Sequence, residues 1–568
     1  MTTENLRIFL WVGLSVLLWL NYLTWEQTFA PPPVPPTTSA LDAASAGPPA
    51  AAPTTGATAA DGSLPALPSS TAAPAKGAAT ATPVPTAEAT PSAPASTLIH
   101  VKTDVYDLEI TTRGGNIVEV HLPAYPVHKD QPDVPVELLN QNPEHLFVFQ
   151  DGLRAADGQP EANHLADYSA IATSYALAPG ADTLEVPLQW HGPDGVTVTK
   201  TYTFHRGSYA IDQHYVVTNQ GSEPYQVAQY LQIQRVSTPQ KRSMFNIDSY
   251  SYHGPVAYNG EKYQKIKVED LAKEPFSEDV TGGWVAAIQH HFLAAAVPPP
   301  GQAWHFNARE AAGKFQLSAI SPLTTVAPGA TANLDATLYV GPKLQNQLKA
   351  TAPKLELTVD YGYLTILAQP LFWLLEKVHG FVRNWGLAII LVTFLIKLVF
   401  YKLSETSGRS MARMRKLQPR MKALQERFKD DRQAMSAALM ELYKKEKINP
   451  AAGCLPMVVQ IPFFIAWYWV LVESVELRQA PFMLWITDLS SRDPYFILPL
   501  LMGAAMFFQQ RLNPPPPDPV QAKIMQIMPI AFTGFFAFFP AGLVLYWLTN
   551  SVLSIAQQWR INKVLGAD

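Results

Sequence analysis

The chain is 568 residues long, 48 % hydrophobic and 15 % charged, with a net charge of −4. That length allows several domains, and the charge balance excludes a global pull toward nucleic acid. A single cysteine, Cys454, excludes any intramolecular disulfide, and much of the proline, 50 residues in all, lies in one block.

In chain order, residues 8–23 are apolar, follow a polar start bearing Arg7, and carry Trp11, Trp19, Tyr22 and Trp25 in and beside them. The only small-residue cleavage candidate ends at Ala30, and three prolines follow it. This favours a retained anchor over a cleaved signal peptide, so residues 1–30 are expected to form an N-terminal transmembrane anchor. Residues 31–96 are almost entirely Ala, Pro, Thr, Ser and Gly. So little bulky apolar surface cannot offset chain entropy, which predicts a disordered, extended linker. From 97 to 350 the composition turns globular. The runs NIVEVHL (116–122), GVTVTKTYTF (195–204), YAIDQHYVVTN (209–219) and LDATLYV (334–340) alternate or are β-rich between turn residues. They predict an antiparallel β-sandwich.

Residues 351–383 contain an apolar stretch, 361–380, interleaved with Trp373, Glu376, Lys377 and His379. It reads as an amphipathic helix lying on a membrane surface, with burial against the sandwich as the alternative. Five apolar spans follow, at 385–401, 455–472, 495–508, 524–539 and 542–559. The first fills the segment 384–402 and the other four the segment 451–568. Some fall short of the roughly 20 residues that a ~30 Å hydrocarbon core asks for, so tilt or local thinning is expected. Between the first two spans, residues 403–450 are dense in Lys and Arg, among them Arg413, Arg415, Lys416, Arg420, Lys422 and Arg427. That bias places the loop in the cytoplasm. Alternation then puts both termini inside and the β-domain outside, a solution with six transmembrane helices.

Within the basic loop, Met414, Leu417, Met421, Leu424 and Phe428 recur at spacings of three and four. Met435, Leu439 and Leu442 do the same beyond Asp430 and Asp431. This predicts two amphipathic helices in an antiparallel hairpin, seam inward and basic faces outward. Such a surface suits lipid headgroups, ribosomal RNA or an emerging apolar chain. The plainer alternative is a solvated hairpin that serves only topology.

LVTFLIKLVF (391–400) holds a lysine, Lys397, among aliphatic and aromatic residues. A lysine at a helix centre in lipid costs roughly 2.5–3.5 kcal/mol. Snorkelling to the nearby cytoplasmic end is one explanation, although helical side chains lean toward the N-terminus, here the outer side. Thr393 lies one turn before it and Tyr401 one turn after. In the next span Gln460 sits between Pro456 and Pro462, and the last span carries Tyr546, Asn550, Ser554 and Gln557 on one face. These groups are best satisfied facing one another around water. No Asp or Glu lies inside the five spans; Glu473 is at an end. A hydrated intramembrane groove follows. The missing carboxylates count against a proton- or sodium-coupled transporter, as does the lack of an internal repeat. An enzyme on the β-domain is the other rival, but there is no P-loop, HExxH or G-x-S-x-G. His290 and His291, if on a strand, would face opposite ways and share no metal.

Several separated motifs, in order, resemble the bacterial YidC-type membrane protein insertases. They are LVTFLIKLVFYKL, MARMRKLQPRMKALQERF, KINPAAGCLPMVVQIPFF, SVELRQAPFMLWITDLSSRDPY and FFPAGLVLYWLTNSVLSIAQQW, with TRGGNIVEVHLPAYP near the start of the β-domain. The resemblance implies a polytopic α-helical protein of the inner membrane, with a periplasmic all-β supersandwich domain and a cytoplasmic helical hairpin. It implies insertion and folding of nascent membrane proteins through a hydrophilic groove, alone or with Sec translocon components, without cofactor or covalent chemistry. Ribosome, signal recognition particle receptor and membrane lipids are further implied partners. Lys397, Thr393 and Gln460 fall on groove positions of the family, with Tyr546, Trp547 and Asn550 beside them. The family's groove residue is most often arginine. Lysine keeps the charge and drops the planar donor fork. The basic hairpin is implied to recruit substrate or ribosome.

Overall fold

The structure is a computed structural model and describes residues 64–67, 96–156, 158–237, 251–428, 431–446, 455–512 and 519–565. The expected anchor, most of the linker, Cys454 and the proline run at 514–517 lie outside the described residues.

Among the described residues, strands run from Leu98–Lys102 to Thr331–Pro342 and form sheets of five, nine and six strands. In the nine-stranded sheet, Ala210–Asn219 pairs antiparallel with Val196–His205 on one side and with Thr331–Pro342 on the other. Alternation explains the burial: Val196, Val198, Tyr202 and Phe204 turn inward, and the intervening residues outward. Strand Tyr225–Val236 of the third sheet lies between Phe147–Ala155 and Lys314–Ile320. It is buried along most of its length, as a strand covered on both faces must be. One pairing departs from the antiparallel expectation. Leu98–Lys102 runs parallel to Ser174–Ala176, closing a contact between distant chain segments that no hairpin can supply.

The inward phase of Val196–His205 also carries Lys200, which is fully buried. Its ammonium lies 2.5 Å from Asp151 Oδ1 and donates to the carbonyls of Gly114 and Gly115. The hydroxyls of Tyr202 and Tyr215 donate to the same carboxylate at 2.7 and 2.6 Å. Burial pushes the Lys200 ammonium down, and Asp151 opposes that shift.

Two short helices, α1 (Val268–Leu271) and α2 (Gln345–Thr351), belong to this part of the chain. The helical part follows as α3 (Thr365–Val382), α4 (Trp385–Val399), α5 (Tyr401–Arg427), α6 (Arg432–Lys445), α7 (Leu455–Glu473), α8 (Ile497–Arg511), α9 (Pro519–Phe536) and α10 (Ala541–Leu565). Asn384 caps α4, accepting from the Leu387 N–H and donating to the Phe482 carbonyl. Helix α3 buries Ala368, Leu371, Phe372 and Leu375 against its helical neighbours and leaves Ile366, Trp373 and Phe381 exposed. The exposed surface of the other helices is just as apolar: Leu398, Leu500, Phe508, Ile527, Ile530 and Phe535 all point outward. Such a belt fits a lipid environment, since soluble chains rarely leave so much apolar surface in contact with water.

Among the described residues no single helix is both long and apolar enough to cross a membrane; α4 and residues 401–410 of α5 qualify only together, across a 65° bend. At 15 residues, α4 and α8 reach about 22 Å each at 1.5 Å per residue. The bend also breaks the stripe expected from Thr393 through Lys397 to Tyr401. Phe400 ends α4, and Tyr401 begins the next helix.

The two parts meet at the C-terminal end of α7. His290 and His291 sit not on a strand but in the turn between Trp284–Ile288 and Phe292–Val297. Strand alternation therefore does not apply, and their rings stack 3.7 Å apart on one side rather than facing opposite ways. Their Nε2 atoms lie 3.0 and 3.2 Å from the Val472 carbonyl oxygen in the last turn of α7. Burial holds the His291 imidazole well below its usual range, hence neutral. Ser251 donates to Glu473, and the Gln345 N–H donates to Glu476. Among the described residues no group of three or more His, Cys, Asp or Glu could hold a metal ion.

Candidate functional site

Helices α4 and α10 pack side by side, and α7 touches α10 beside them. On α4, Lys397 lies in the last turn, where the carbonyl end of the helix dipole favours a cation. Its Nζ donates to Ser554 Oγ at 2.8 Å. Ser554 donates in turn to the Asn550 carbonyl, and Asn550 Oδ1 accepts from Gln460 Nε2 on α7 at 2.9 Å. The result is one polar seam, Lys397–Ser554–Asn550–Gln460, crossing three helices whose other facing groups are largely apolar. Gln557 extends it by donating to the Tyr401 carbonyl. Among the described residues no carboxylate forms an ion pair with Lys397.

Lys397 and Gln460 open onto a crevice also lined by Ile396, Phe400, Ser404 and Val459. It leaves about 10 Å³ for the centre of a water molecule, room for roughly one water. In this conformation the space beside the seam is a narrow slot.

Of the other residues singled out from sequence, Thr393 and Trp547 stand apart from the seam, and Tyr546 meets it at Gln460. Thr393 is buried and returns its hydroxyl to the Ile389 carbonyl one turn back, at 2.6 Å. Tyr546 is buried against Phe464 and Trp467, and Trp547 packs on Phe464, Phe532 and Phe536. Together they form an aromatic layer nearer the α10 N-terminus than the seam. Ser554 makes the direct contact to Lys397. Its signal was present in the sequence as the third member of the polar face of α10.

In the basic hairpin, Leu417, Met421 and Leu439 form a buried seam flanked by Leu424, Met435, Leu442 and Tyr443, the apolar stripe expected from the spacing. Asp431 caps α6 by accepting from the Gln433 and Ala434 N–H groups. Arg413, Lys416, Arg420 and Arg427 are exposed. Arg420 pairs with Glu446 across the hairpin at 2.7 Å. The side chains of Arg415 and Lys422 lie outside the described residues.

Residues 98–374 match the family model described as YidC periplasmic domain, and residues 377–567 match the 60Kd inner membrane protein model. The chain is 47 % identical to the membrane protein insertase YidC of Nitrosococcus oceani, over 99 % of both chains. It is 52 % identical to that of Methylococcus capsulatus over 82 % of this chain and 86 % of the other. A solved structure of an active YidC insertase with its first transmembrane domain resolved is 18 % identical in superposition, with a TM-score of 0.37. It covers 80 % of this chain and 90 % of the other. The chain therefore belongs to the YidC family of membrane protein insertases, proteins of the inner membrane that carry a periplasmic domain.

Proposed function

We propose that this insertase moves the polar flank of a nascent membrane protein along the slot between α4, α7 and α10, while the adjoining apolar segment passes sideways into lipid. The observation that carries this reading is the uncompensated polar seam from Lys397 to Gln460 inside an apolar helical assembly. Acidic residues in the flank gain Coulombic attraction from the Lys397 ammonium, which is stronger at low dielectric than in water. Water and the amides of Gln460 and Asn550 satisfy groups that lipid would exclude. Burial of the apolar segment, at about 25 cal/mol per Å², drives release. A membrane potential, positive outside, adds about 2.3 kcal/mol per acidic charge per 100 mV. The aromatic layer of Phe464, Trp467, Tyr546 and Trp547 closes the end of the slot away from the hairpin.

In this reading the chain crosses the membrane six times with both termini in the cytoplasm. The β-domain is a periplasmic supersandwich, α3 lies at the outer surface, and the hairpin of α5 and α6 faces the cytoplasm. The exposed cations of the hairpin meet substrate, ribosome, signal recognition particle receptor or headgroups, and Sec translocon components work beside the core. The slot widens when a substrate enters, because one water's space admits no peptide.

The test is insertion in cells depleted of their own insertase, supplied with this chain carrying Lys397, Lys397→Arg, Lys397→Leu or Lys397→Glu. Protease accessibility of a small single-span substrate is scored. Arg is expected to support insertion of acidic-flanked substrates, and Leu and Glu to fail. Normal insertion of every substrate by Lys397→Leu would show that the seam's charge is dispensable.

A further inference from the structure

Within the proline-rich linker one short stretch has a defined place against the β-domain. Pro65 is buried, Leu67 half-buried and Ala66 exposed. Arg154, on strand Phe147–Ala155, donates from Nη1 to the Pro65 carbonyl at 2.5 Å. The guanidinium is aimed by its neighbour: Arg154 Nε donates to Glu161 Oε1 at 2.8 Å. Glu161 is itself held by the Ala155 N–H and by Asn163 Nδ2. Proline suits this position physically. It has no N–H to leave unpaired on burial, its φ is already fixed, and its carbonyl is the one backbone group needing a partner. Arg154 supplies that partner.

Composition marks the same place. Among residues 31–96 the large aliphatic residues are Val34, Leu41, Leu64, Leu67 and Val84, and only Leu64 and Leu67 lie within one turn of each other. Pro65 and Pro68 interleave with them. Proline-bearing segments with a spaced aliphatic anchor pay little ordering entropy on docking, the principle by which polyproline ligands are recognised.

We propose that Pro65, Ala66 and Leu67 form a docking segment, held in cis by the Arg154–Glu161 pair on the β-domain. The linker is then not one free tether but two arms joined at a fixed point. The fixed point falls 34 residues beyond the start of the linker at position 31. The occupant is this chain's own linker; the same segment of a second copy is the alternative that the experiment separates.

The test uses the full chain in detergent micelles, in a Cys454→Ala background, with one dye on Ala66→Cys or, as a control in the same linker, on Ala78→Cys. Fluorescence anisotropy of the dye at 66 is expected to exceed that at 78 and to stay constant on dilution. The excess is expected to be lost in Pro65→Gly/Leu67→Ser and in Arg154→Gln. Equal anisotropy at the two positions, or an excess that survives both variants, would overturn the docking. An excess that falls on dilution would assign the site to a second copy and overturn the cis arrangement. Should Arg154→Gln disturb the β-domain, the linker double variant, which alters no strand, decides alone.

Discussion

Among the lysines drawn out of bulk water in this molecule, two have surroundings that treat them in opposite ways. Lys200, in the β-domain, is enclosed by a carboxylate, two backbone carbonyls and the rings of Tyr168, Tyr202 and Tyr215. Lys397, in the helical part, has one serine hydroxyl and a narrow crevice. A buried ion pair whose remaining donors and acceptors are all satisfied holds one arrangement of the chain. A cation left with a single weak partner does nothing comparable for the fold. In the proposed mechanism its charge stays available for a substrate, and the cost of placing it there serves function instead of stability.

Breaking the β-domain pair should have the largest effect. Asp151→Ala strands the Lys200 ammonium among carbonyls and rings and is expected to destabilise the β-domain by about 3–5 kcal/mol, read as a lower unfolding midpoint in denaturant. Restoring packing with Asp151→Leu/Lys200→Met should recover much of that loss. No recovery would mean that the tyrosine hydroxyls, not the charge, dominate the cluster.

The junction between the two parts offers a titration. Burial pushes the Glu476 carboxyl up to about 7. A carboxyl whose folded pKa lies above its unfolded value favours the folded state while protonated. Its stabilisation is complete below about pH 4.5, declines as the pH rises through 7, and is level above. Glu476→Gln is expected to raise stability at pH 8 by about 3 kcal/mol and to leave it unchanged at pH 4. Thermal unfolding of the full chain across pH 4–8 checks this, and a parallel offset at every pH would contradict the assignment.

Smaller effects are expected within the seam. Gln460→Leu removes the donor to Asn550 and should cost about 0.6–1 kcal/mol, the usual scale for side-chain hydrogen bonds between helices in lipid. Lys397→Met should shift stability least, by under about 1 kcal/mol, because only one hydroxyl contact is lost. The same variant is expected to impair insertion of acidic-flanked substrates. A large loss of stability from Lys397→Met would erase the contrast between the two lysines.

Much of this was legible in the sequence, and the failures have physical causes. Period-two alternation located Val196–His205 and Ala210–Asn219 to within one residue, because each strand buries one face. Period 3.6 located the hairpin seam at Leu417, Met421 and Leu439. Lys200 occupies the inward phase of VTVTKTYTF, a visible anomaly, but Asp151 is 49 residues away, and only tertiary pairing brings them together. Gln460 and Asn550 could be recognised as polar groups in apolar runs. Their bond to each other could not be anticipated, nor could the return of the Thr393 hydroxyl to its own helix. The bend at Phe400 also escaped, since LVFYKL contains neither Gly nor Pro, the residues that usually announce a break.

That bend has a mechanical consequence. Beyond it, α5 runs unbroken from beside Lys397 into the basic hairpin, and Gly408 lets it lie close against α10, where a Cβ would meet Ile561 Cδ1 at 2.7 Å. From that fulcrum to Arg427 the helix is a lever of about 28 Å at 1.5 Å per residue. A rotation of about 10° at Gly408 swings the far end by about 5 Å at this rise per residue and turns the short arm, Tyr401 to Ser407, against the mouth of the slot. In the proposed mechanism a load on the hairpin would reach the slot as torque, and capture and opening would then be a single movement.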